Sequence, residues 1–65
     1  MNFETLKKGD IIQGKFSEIN YEFDGIIRDG EKIYIRIKSI GTENYYLIDY
    51  ATAKHIFEEV RNENK

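Results

Sequence analysis

The hexapeptide Ile33-Tyr34-Ile35-Arg36-Ile37-Lys38 alternates apolar and polar-tipped residues without a break. Successive side chains of an extended chain point to opposite faces, so the isoleucines share one face while Tyr34, Arg36 and Lys38 share the other. A helix would scatter both sets around its axis. The stretch reads as a strand with one dry face and one wet face, and whatever pairs with it must keep the same period.

That requirement sets the loops on either side by parity. A turn of Asp29 and Gly30 alone would set Asp24 and Ile26 beside the isoleucines and bury a carboxylate. A longer loop, residues 28–30 with Gly30 left-handed, places Tyr21, Phe23, Gly25 and Ile27 there and is the preferred reading. A loop at 17–20 pairs Phe16 with Tyr21 and Gly14 with Phe23, which turns Ile12, Gly14 and Phe16 inward. Another at 41–44 pairs Ile40 with Tyr45, Ile37 with Ile48 and Ile35 with Tyr50, which turns Tyr46, Ile48 and Tyr50 inward. On the far face these registers predict a ladder of opposite charges, Lys15 to Glu22 to Arg36 to Asp49, each facing pair contributing about 0.2 to 1 kcal/mol.

After Tyr50 the period changes. Ala53, Ile56, Phe57 and Val60 recur at the spacing of one helical stripe, with Lys54, His55, Glu58, Glu59 and Arg61 elsewhere, and Asp49 stands where an N-cap belongs. Near the start, Phe3 and Leu6 fall on one side of a short helical turn stopped by Gly9. The expected fold is mainly β (α+β): a four- to five-stranded, strongly twisted antiparallel meander closed by a C-terminal amphipathic helix at about 50–61. It forms one domain, 1–65, with an N-terminal turn (1–9), the meander (10–50), the helix (51–61) and a disordered tail (62–65). Gly14 and Gly25 are expected to let the sheet curl. The run Leu6-Lys7-Lys8-Gly9-Asp10-Ile11-Ile12 entering a first strand, and an Ala-containing turn after the last, resemble the layout of SH3-like small barrels. The resemblance implies a barrel or half-barrel and no particular activity.

A chain of 65 residues buries only about 60% of its unfolded surface, and with no Cys it has neither a disulfide nor a zinc-thiolate staple. Its core must suffice, or a second copy must help. The net charge is -2, with six acids and four bases in residues 1–30 and six of each in 31–65, which gives no drive toward polyanions. No apolar run approaches a membrane span and no basic leader precedes one, so a cytoplasmic protein without a membrane partner is expected.

With the inner face committed to packing, apolar side chains still remain outside. Ile26 (beside Ile11), Tyr34, Ile40, Tyr45 and Leu47 are the candidate protein-interface residues, since a contiguous apolar patch set with Tyr among charges marks an interface. The alternative is that the helix or the N-terminal turn covers them. Lys32, Tyr34, Arg36 and Lys38 form the one basic and aromatic row and are the candidate single-strand nucleic-acid surface. That reading is disfavoured because Glu22, Asp24 and Asp49 flank the row. His55 and Glu59 are too few for a metal, and Ser17, Ser39, Thr5, Thr42 and Thr52 have no base beside them. No enzyme and no cofactor is expected. The sequence favours a small protein-interaction module that binds and occludes a partner, itself as a homodimer or another protein, in the manner of a phage or mobile-element inhibitor or accessory factor. A single-stranded nucleic-acid-binding β-barrel and a nucleotide-sequestering oligomer are the alternatives.

Overall fold

The isoleucine strand is β3 (Lys32–Ser39), the centre of a five-stranded antiparallel sheet in a computed structural model that describes residues 2–59. Around it lie β1 (Ile11–Gly14), β2 (Asn20–Asp29), β4 (Tyr45–Asp49), α1 (Tyr50–Ile56) and β5 (Phe57–Glu59). Their spatial order is β4-β3-β2-β1-β5. The first four strands form the expected meander, and α1 carries the chain from one edge across the dry face to the other, where β5 pairs antiparallel with β1. The sheet does not close on itself, leaving a mainly-β half-barrel whose two edges are β4 and β5.

The dry face holds Ile12, Phe23, Ile35 and Ile37, covered by Phe3, Ala53 and Phe57. Fully burying such side chains stabilises the fold by about 1.5–3 kcal/mol each for the larger ones. Phe3 comes from a 3₁₀ turn, Phe3–Thr5, whose cap Asn2 accepts the Glu4 N–H on its Oδ1 at 3.0 Å. Its ring stacks on Phe23 with centroids 6.2 Å apart and meets Tyr50 edge-on at 5.7 Å. The N-terminal segment is therefore part of the core rather than an appendage to it.

Two loops sit earlier than parity placed them, and the faces survive. The Gly14 N–H donates to the Ile19 carbonyl at 2.9 Å, so the first loop is 15–18 and Ile12 pairs with Tyr21. The Ser39 N–H donates to the Asn44 carbonyl at 3.0 Å, so the third loop is 40–43 and Ile35 pairs with Ile48, Ile37 with Tyr46. Each change moves the partner by an even number of residues, which leaves inward side chains inward. Phe16 is the exception: it falls in the loop and is 84% exposed.

The β2–β3 hairpin differs in kind. Its turn is Gly30 and Glu31, with Asp29 paired to Lys32 and Gly30 at φ 63°, and this odd register sets Ile26 against Ile35 and Ile27 against Tyr34. A β-bulge between Phe23 and Gly25 then returns Phe23 to the dry face, opposite Ile37. Gly25 has φ 144°, a conformation that side chains with a Cβ rarely adopt. The parity test assumed one register for the whole hairpin, and a single extra residue gives it two. The expected charge ladder shifts accordingly: Lys38 lies 4.0 Å from Glu22 and Arg36 lies 3.2 Å from Asp24. Lys15 is in the loop, and Asp49 faces Tyr34 rather than Arg36.

Asp49 caps α1 as expected, its carboxylate accepting the Thr52 N–H at 3.3 Å. The helix is shorter than its apolar stripe. The Phe57 N–H still donates to the Ala53 carbonyl, but Phe57 is extended (φ -121°, ψ 155°), and the chain continues as β5 against β1. β1 would otherwise leave one row of main-chain groups unpaired, and satisfying them outweighs further helix. Phe57 reaches the core either way, which is why periodicity did not reveal the change. Val60, Arg61 and the expected tail 62–65 lie outside the described residues.

Candidate protein-docking face

The wet face of β2, β3 and β4 is built in rows. Glu22, Lys38 and Tyr45 form one; Gly25, Arg36 and Leu47 the next; Ile27, Tyr34 and Asp49 the third. Arg36 occupies the centre. Its guanidinium carbon stands 4.3 Å from the centroid of the Tyr45 ring, and the Lys38 ammonium stands 5.9 Å from the same ring. The Arg36 Nε meets Asp24, whose other oxygen is 3.8 Å from Lys8. The bulge makes this possible by swinging Asp24 and Gly25 together onto the wet side, so no bulky side chain separates Arg36 from the carboxylate.

Ile27, Arg36, Tyr45, Tyr46 and Leu47 line a shallow concavity of about 310 Å³. Leu47 is 59% exposed, Tyr45 40% and Ile27 36%, so apolar side chains from β2 and β4 surround one half-exposed guanidinium of β3. Tyr45 also donates its hydroxyl to Glu43 at 3.4 Å. A rigid cation seated among aromatic and aliphatic side chains is the composition of a protein-binding patch.

Of the candidate interface residues, the structure brings Tyr34, Tyr45 and Leu47 together. Ile40 is exposed but lies in the 40–43 loop, past the row of Tyr45, whose neighbour is Lys38 rather than Ile40. Ile26 does not belong to this face: it pairs with Ile35 and packs against the core, and Ile27 takes its place outside. The signal for that exchange was the Asp24-Gly25 pair inside a strand, where an isolated Gly marks a bulge. Ile11 stands beside Glu22 rather than Ile26.

The basic row is present on β3, but every cation in it faces a carboxylate. Lys32 is opposite Asp29, Arg36 contacts Asp24 and Lys38 contacts Glu22. A phosphate approaching the row meets all of them. Among the described residues no group of His, Cys, Asp and Glu is gathered to hold a metal, and no helix is long and apolar enough to cross a membrane.

A second apolar feature lies at the gap where the half-barrel stays open. A groove of about 450 Å³ runs between β4 and the α1–β5 corner, lined chiefly by Phe16, Tyr21, Tyr46, Ile56 and Phe57. Phe16 was expected inside the sheet; as a loop residue it flanks this groove instead. No protein-family model, curated protein or solved structure matches the chain, so both surfaces are read from their own geometry.

Proposed function

We propose that this chain is a small non-enzymatic interaction module that binds a partner protein through the wet face of β2–β4 and occludes the surface it covers. The observation that carries this reading is the Ile27, Tyr45 and Leu47 cluster around Arg36, drawn from three strands and held by the sheet rather than by loops. Rigid aromatic and Arg anchors lose little side-chain entropy on docking, and such anchors dominate interface energetics.

The test is a comparison of the wild-type chain with Tyr45→Ala, Leu47→Ala as baits, followed by measured affinity for each protein captured. Loss of a specific partner by the double variant supports the reading. Retention of every partner by the double variant rejects it.

A further inference from the structure

We infer that two copies of this chain join edge to edge through β4, antiparallel about a two-fold axis at Leu47, to make one continuous ten-stranded sheet. The inference rests on the main-chain groups of the edge, whereas docking rests on the side chains of the wet face, Tyr45 and Leu47 belonging to both.

Among the described residues β4 has a neighbour on one side only. The bond from the Ser39 N–H to the Asn44 carbonyl fixes which rungs are hydrogen-bonded, because such rungs alternate in an antiparallel pair. Asn44, Tyr46 and Ile48 therefore point their main-chain groups at β3. Tyr45, Leu47 and the Asp49 N–H point theirs away from the sheet, with no strand among the described residues to receive them, while the Asp49 carbonyl belongs to the first turn of α1. Natural edges are blunted by Lys, Pro, bulges or a covering segment. The stretch Tyr45-Tyr46-Leu47-Ile48 carries no charge and no Pro, and the β3–β4 register runs through it without a bulge.

The edge is complementary to itself in one register. With Leu47 on the axis, it faces Leu47 of the second copy across a hydrogen-bonded rung, and Tyr45 faces Asp49 of the second copy across another. The Leu47 N–H and carbonyl of each strand then meet those of the other, and the Asp49 N–H of each meets the Tyr45 carbonyl of the other. The charges agree as well. Asp49 is the one acidic residue of the strand, and in this register it comes alongside Tyr45, the ring that Arg36 and Lys38 already stand over. On the dry side, Tyr46 faces Ile48 of the second copy, and these side chains extend over the groove that Tyr46 and Ile48 line. The wet faces of the two copies become contiguous, with both Leu47 side chains at the centre.

Solution mass by light scattering, read across protein concentration, tests the pairing in wild type, Leu47→Pro and Ile27→Glu. Leu47→Pro removes an N–H that β3 does not use, whereas Ile27 lies on β2, far from the edge. Edge pairing requires a wild-type mass approaching twice 7.7 kDa, the same mass for Ile27→Glu, and a single-chain mass for folded Leu47→Pro. A wild type that stays single-chain, or a dimer lost in Ile27→Glu and kept in Leu47→Pro, overturns it. If Leu47→Pro does not fold, amide exchange in the wild type decides. Slowing of the Leu47 N–H by about tenfold or more between dilute and concentrated protein upholds the pairing, and an unchanged rate overturns it. Ile27→Glu alters the docking face and leaves the β4 edge untouched, so a chain that loses its partner protein while keeping the doubled mass separates failure of one proposal from failure of the other.

Discussion

Arg36 stands over the Tyr45 ring, guanidinium carbon to ring centroid 4.3 Å, and the same side chain reaches Asp24 with its Nε at 3.2 Å. One residue of β3 thereby ties β4 to β2 across the wet face. The ring and the carboxylate both contact the cation, so two neighbouring strands fix its position.

Arg36→Ala is expected to destabilise the fold by about 1–2 kcal/mol, because it removes the cation–π contact and leaves Asp24 with only the exposed Lys8. Urea denaturation measures this. A double-mutant cycle with Tyr45→Ala is expected to show a coupling of about 0.5–1 kcal/mol, and additivity would mean that the cation–π contact contributes nothing.

Gly25→Ala is expected to cost about 1–3 kcal/mol. A Cβ there meets no atom within 4 Å, so the whole effect comes from forcing a side chain to φ 144°. The equilibrium m-value should stay unchanged while the midpoint falls.

Glu18 is the one described residue other than Gly with positive φ, at 61°. Glu18→Gly relieves that strain and is expected to raise stability by up to about 1 kcal/mol, seen as a higher Tm. A lower Tm would show that the Glu18 side chain makes a contribution that the backbone geometry does not reveal.

Phe3→Ala is expected to cost about 3–5 kcal/mol, since the ring is wholly buried between Phe23 and Tyr50. For a domain of this size that is comparable with the total stability, so loss of near-ultraviolet CD at 25 °C is the expected readout.

Single-stranded RNA or DNA is expected to bind negligibly to the wild type even at low salt. The combined change Glu22→Gln, Asp24→Asn frees Lys38 and Arg36 and is expected to create weak binding that falls steeply with added salt. Oligonucleotide mobility shifts over a salt series check both halves. Strong wild-type binding would mean that the facing carboxylates do not protect the row.

Much of this architecture was legible from the period of the side chains. Ile33, Ile35 and Ile37 gave the dry face of β3, and parity carried it to Ile12, Tyr21, Phe23, Tyr46 and Ile48. Errors of loop position in β1–β2 and β3–β4 were even, so they changed partners without changing faces. What parity alone did not carry was an insertion inside a strand: Ile26 and Ile27 are adjacent, equally apolar, and distinguished only by the bulge at Asp24 and Gly25. The end of α1 was hidden for a related reason, since Phe57 satisfies the helical stripe and the strand alike. The candidate docking face was legible in outline, since Tyr34, Tyr45 and Leu47 do share the wet face, while its central salt bridge depended on the same bulge.

The irregularity in β2 acts as a phase shifter between two halves of one strand. Chain length, rather than hydrophobicity, decides which of two neighbouring isoleucines turns to the core and which stays on the surface. Removing a single codon at that point would put the two halves of β2 out of phase, so that either Ile26 and Ile27 or Glu22 and Phe23 must exchange faces, and this surface can be rewritten by a deletion as readily as by a substitution.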